Sequence, residues 1–137
     1  SDRQYAFRRV SAKENFTLHL FEGAIDLLSY LTFLHWKGID YREGNFLSLG
    51  GIYQPKKEIE KSSVPVALKR YLSERKTARI MIHFDNDYPG RRAAETLIAI
   101  LPEYEVKSFP PPRGKDYNDY LKMEVKRMEQ KKEEVCR

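Results

Sequence analysis

The segment Arg79-Ile-Met-Ile-His-Phe-Asp-Asn-Asp-Tyr-Pro-Gly-Arg-Arg-Ala-Ala94 limits the fold more than any other stretch. In it an apolar run ends abruptly in two carboxylates, Asp85 and Asp87, and a Pro-Gly pair follows. A short, partly β-branched run bounded by such a turn signal reads as a buried strand feeding a helix. Acids at the carboxyl end of that strand stand where open α/β sheets bind their ligands. Residues two apart in extended chain point the same way, so Asp85 and Asp87 can offer oxygens to one hard divalent cation. A solvated Asp-Asn-Asp turn is the alternative reading of the same residues.

Two further segments repeat the pattern. Glu22 closes the apolar run Phe16-Thr-Leu-His-Leu-Phe21 and is followed at once by Gly23. Lys115-Asp-Tyr-Asn-Asp119 follows the candidate strand Tyr104 to Phe109 across a rigid Pro110-Pro-Pro-Arg-Gly114 connection. From Phe16 the chain alternates strand, helix (Ala24 to Trp36), strand (Phe46 to Leu49), helix (Val64 to Glu74), strand (Ala78 to Phe84), helix (Gly90 to Leu101), strand (Glu105 to Phe109) and helix (Tyr117 to Lys132). This alternation argues for an α/β fold with a parallel sheet of about four strands and helices on both faces. The strands of a parallel sheet point one way, so the three acidic clusters would meet at one sheet edge. For Glu22 to share a cation with Asp85 and Asp87, the first and third strands must be neighbours. The order 2-1-3-4 with right-handed crossovers makes them so. Tyr5 to Val10 alternates weakly and reads as an extra edge strand or an arm.

Composition adds a partner and removes several classes. A formal charge of +5 favours an anionic partner, and nucleic acid is the natural candidate. A lone Cys136 makes neither a disulfide framework nor a zinc site, which fits a reducing compartment. No apolar run approaches the ~20 residues of a membrane span, so no membrane partner is expected and the expected location is the cytoplasm. The absence of a phosphate-loop lysine motif and of a dinucleotide glycine fingerprint removes the NTPase and dehydrogenase readings. The expected organisation is an arm over 1–15, one domain over 16–122 and a charged helical tail over 123–137. Because the chain opens on Ser1, we expect a piece of a longer protein whose other domains are further partners.

Four ordered blocks carry a family resemblance: Glu22-Gly-Ala-Ile-Asp-Leu-Leu-Ser29, Leu47-Ser-Leu-Gly-Gly51, Phe84-Asp-Asn-Asp-Tyr-Pro-Gly-Arg-Arg-Ala-Ala94 and Gly114-Lys-Asp-Tyr-Asn-Asp-Tyr-Leu121. Together they resemble the Toprim (topoisomerase-primase) domain, nearest to that of bacterial replicative primases and of mobile-element and plasmid proteins. The resemblance implies a Rossmann-like sheet, Mg²⁺ or Mn²⁺ as cofactor, and nucleotidyl or phosphoryl transfer on DNA or RNA by part of a larger primase-like enzyme. A Toprim nuclease and a non-catalytic nucleic-acid-binding scaffold are the alternatives. Matched to the family, Glu22 is the general acid or base, or reaches metal through water. Asp85 and Asp87 are the metal-binding pair, with Asp26 and Asp116 as further acids. Asn118 stands where primases usually carry an Asp, and Asp119 follows it; an amide ligates through oxygen but brings no charge.

Around these acids, Gly23 and Gly90 are expected to permit sharp strand-to-helix turns and close approach of a phosphate to free helix N–H groups, with ordinary helix-start glycines as the alternative. Arg91 opens a helix, where cations are disfavoured, so a substrate phosphate or a site carboxylate should offset it. Lys115 is a phosphate contact or a solvated loop lysine. His83 reads as a hydrogen-bonded core histidine, and Trp36 with Phe33 as core. Gly50-Gly51 and the loop after it read as a nucleic-acid-facing loop or an ordinary turn.

Overall fold

The computed structural model describes residues 7–51 and 53–136. Tyr5 and Ala6, part of the expected arm, lie outside them. Five strands form one sheet: β1 (Arg8–Arg9), β2 (Thr17–Phe21), β3 (Asn45–Ser48), β4 (Arg79–Ile82) and β5 (Glu105–Ser108). The spatial order is β1-β3-β2-β4-β5. The four-strand order expected from the chemistry, 2-1-3-4, is therefore present as β3-β2-β4-β5, all parallel, with β1 added antiparallel at the β3 edge. Four helices connect and cover the strands: α1 (Ala24–Trp36), α2 (Val66–Glu74), α3 (Tyr88–Ile100) and α4 (Tyr117–Cys136).

Strand parity divides the core into two layers. Leu18, Leu20, Ile80, Ile82 and Phe84 form one cluster with Leu68 and Tyr71 of α2 and with Ala93, Ala94 and Leu97 of α3. Phe21 and Phe46 form the other with Leu27 and Leu31 of α1. Each buried Leu, Ile or Phe among them contributes about 1.5–3 kcal/mol, so the central strands β2 and β4 are the rigid floor from which the acids project. The short β1 is held by a polar device: buried Asn45 accepts from the Ser11 N–H at 2.9 Å and donates to the Asn15 and Thr17 carbonyls.

Element ends differ from the sequence reading for local reasons. α3 starts at Tyr88 rather than Gly90, because Asp87 caps it and Pro89 is tolerated in the first turn. α2 starts at Val66 because Pro65 disfavours helical backbone at Val64. β4 ends at Ile82, so the acids that follow lie in a connection and not in extended strand. Trp36 corrects the core reading: it is 43% exposed and meets Phe33 edge-on at the end of α1. Among the described residues no helix is long and apolar enough to cross a membrane.

Candidate metal centre

The C-terminal edge of the parallel strands delivers the acids. β2 ends in Glu22, and the first turn of α1 adds Asp26. The connection after β4 carries Asp85 and Asp87, and the loop before α4 ends in Asp116. Three of these converge, since one carboxylate oxygen each from Asp26, Asp85 and Asp116 lies within 4.8 Å of the other two. All three residues are half-buried. Burial pushes the Asp85 carboxyl up to about 6, reinforced by the charges of Asp26, Asp116 and Asp87 and opposed by Lys115. Asp26 is raised by burial and then by Asp116, while a hydrogen bond from the Asn118 N–H, at 3.2 Å, holds it down.

Glu22 stands beside this trio and in a drier place. It is 6% exposed, and its Oε1 has no hydrogen-bond partner among the described residues. Burial, then the charge of Asp85, push it up to about 7, against the pull of the Asp85 backbone N–H. An unpartnered buried carboxylate oxygen is costly unless something offsets it. The loop after β3 fixes it from the other side, for the Gly51 N–H donates to the Glu22 carbonyl at 3.0 Å. Gly50 and Gly51 hold positive φ of 75° and 151°, which glycine adopts at least cost. That is a turn with a positioning role, which the sequence reading did not assign.

The remaining expected residues take supporting places. Asp87 does not join the trio: its Oδ1 accepts from the Gly90 N–H at 2.8 Å, capping α3, and its Oδ2 lies 3.8 Å from Lys115 Nζ. Asp116 likewise caps its helix, its Oδ1 accepting from the Asp119 N–H at 2.7 Å. Asn118 turns its amide oxygen toward the Ser29 hydroxyl, 3.5 Å away, and so ties α4 to α1. Gly90 is required by packing, because a Cβ there would overlap the Asp85 carbonyl oxygen. Gly23 is not: its φ is −127° and the space above it is open, so the sharp-turn rationale does not apply. Arg91 reaches the Asn86 side chain at 3.3 Å and is otherwise exposed. Arg92 donates to the Lys57 carbonyl at 2.7 Å.

His83 is the buried, hydrogen-bonded core histidine that the sequence reading expected, but its pairing with His19 was missed. His19 Nδ1 and His83 Nε2 are 2.8 Å apart, and His83 Nδ1 meets the Phe109 carbonyl at 3.1 Å. Burial lowers both, His19 to about 4 and His83 to about 3, so they are a neutral hydrogen-bonded chain in the core. The available signal was parity across adjacent strands, which needs the β2–β4 register to be known.

The donor set fits a hard divalent ion. Three carboxylates within 4.8 Å, with a fourth partly desolvated beside them, repel one another and are relieved by a cation, and hard cations take oxygen ligands. Parallel strands with acids gathered at their carboxyl edge define a Rossmann-like domain with an acid cluster at the strand ends. The chain belongs to the Toprim-like family, whose profile matches residues 19–121. Among solved structures it is similar to the primase fragment of the bacteriophage T7 primase-helicase protein. The TM-score is 0.48 at 21% identity, over 82% of this chain and 43% of that one. The chain thus spans less than half the length of that fragment. No curated protein matches it.

Proposed function

We propose that this domain is the catalytic Toprim module of a primase-like protein and performs divalent-metal-dependent nucleotidyl or phosphoryl transfer on nucleic acid. The convergence of Asp26, Asp85 and Asp116 on one small volume is the observation that carries this reading. These three would hold Mg²⁺ or Mn²⁺, which supplies neutralisation of the charge that develops on the phosphate oxygens. Glu22, buried beside them with a free Oε1, would take or return a proton at that oxygen. Asp87 fixes the start of α3 and holds Lys115 at the rim, where Lys115 and Arg91 face an incoming phosphate. A pure binding scaffold has no use for a buried, unpartnered carboxylate, which weighs against that alternative.

The test uses the intact protein with single-stranded template, nucleotides and Mg²⁺ or Mn²⁺. Short primers are the expected product; strand cleavage instead would identify a nuclease built on the same acids. Asp85→Asn should lower either activity by on the order of 100-fold or more without unfolding the domain. Full metal-dependent activity in that variant would overturn the assignment.

A further inference from the structure

Between α1 and the start of α4, on the α1 side of the sheet, lies a cavity of about 230 Å³ walled by Tyr30, Phe33, Phe109, Tyr117 and Tyr120. It is smaller than the ~300–1,000 Å³ of drug-sized sites and suits a single ring system. Its walls are π faces and edges. Phe33 and Tyr120 stack at 4.5 Å, Tyr30 meets Tyr117 edge-on at 5.3 Å, and Phe109 is 40% exposed. His83 also lines it, but both its ring nitrogens are engaged within the protein, so it offers a ligand ring surface and no free nitrogen.

Charge and chain path connect this cavity to the metal centre. Lys37 also lines it and has no ion pair among the described residues. Pro112 lines another part, and the exposed loop Arg113-Gly-Lys115 runs from it directly to Asp116 of the cluster. Tyr117, the next residue, is itself a cavity wall. Aromatic faces flanked by cations are the means by which proteins hold single strands without sequence preference. We infer that the cavity receives one unstacked base of a single-stranded nucleic acid whose backbone passes over Arg113 and Lys115 to the acid cluster.

This inference takes its ligand class from the proposed function, so the experiment removes the catalytic metal. Affinity for a labelled oligodeoxythymidine is measured by fluorescence anisotropy in EDTA, beside an abasic strand of equal length. A lost base stack is worth ~1–3 kcal/mol, so Phe109→Ala and Phe109→Leu should each weaken oligodeoxythymidine binding on the order of tenfold. The abasic strand should bind the wild-type chain as weakly as oligodeoxythymidine binds those variants. Lys37→Glu should weaken oligodeoxythymidine binding and flatten its salt dependence. Wild-type binding that ignores the loss of the bases, or wild-type affinity in the Phe109 and Lys37 variants with melting temperatures unchanged, would overturn the inference. The two ideas fail separately: an Asp85→Asn protein with full metal-dependent activity removes the catalytic assignment and leaves these binding results standing.

Discussion

The turn from β2 into α1 and the turn from β4 into α3 stand side by side on one sheet edge, and they spend their acids differently. In the first, Glu22 is buried with a free oxygen, Gly23 caps nothing with a side chain, and the space over it is open. In the second, Asp87 is committed to the Gly90 N–H, and Gly90 is pressed against the Asp85 carbonyl. The β4 corner is thus a closed joint that positions Asp85, while the β2 corner leaves open space beside an unsatisfied carboxylate. The difference teaches that an acid near a site can serve the helix, the cation or the proton, and that its hydrogen bonds tell which.

The largest expected effect breaks the closed joint. Gly90→Ala must push α3 away from the Asp85 backbone and should destabilise by on the order of 3 kcal/mol. Gly23→Ala, with nothing near its Cβ, should change stability by about 0.5 kcal/mol or less, both read by chemical denaturation. Equal losses at the two glycines would erase the distinction between the corners.

The next effect sharpens the open corner and depends on pH. A carboxyl whose folded pKa is raised, from 4.5 to about 7 for Glu22, contributes stability that is full below about 4.5 and lost as pH rises through 7. The buried histidines act in the opposite sense: depressed to about 4 and 3, they contribute above about 6.5 and lose that contribution as pH falls through those values. A pH scan of the wild-type chain mixes these with the raised Asp85 and Asp26 carboxyls, and the difference from Glu22→Gln isolates Glu22 together with its coupling to Asp85. In metal-free buffer the variant should match wild type near pH 4.5 and exceed it at pH 8 by on the order of 2 kcal/mol. A difference that does not vary with pH would show Glu22 to be ordinarily solvated. The smallest effect is the cap: Asp87→Ala should cost about 1 kcal/mol by thermal denaturation, as the loss of a helix N-cap does.

Much of this was legible in the residues. Apolar runs ending in Glu22 and Asp85 located the two central strands, and the demand that these acids meet gave the strand order that the sheet shows. Asp26 was legible only through the family resemblance, which matches it to a further acid. The division of labour between Asp85 and Asp87 was not, because an Asp-Asn-Asp spacing reads as a same-face pair only while the backbone stays extended, and β4 has already ended at Ile82. β1 was faint for a related reason: Arg8–Arg9 is held by the Phe7 carbonyl, which accepts from the Ser48 N–H, and by the Asn45 bridges, not by an apolar alternation. The 43% exposure of Trp36 is set by what packs at the end of α1, a tertiary fact that helical periodicity does not carry.

The central claim, that Asp26, Asp85 and Asp116 share one cation, is tested most directly by anomalous diffraction from crystals soaked in Mn²⁺. A peak within coordination distance of all three carboxylates, with Asp87 still bonded to the Gly90 N–H, is the result expected. Manganese bound through Asp87 with Asp26 and Asp116 left out, or no manganese at this sheet edge, would contradict the account.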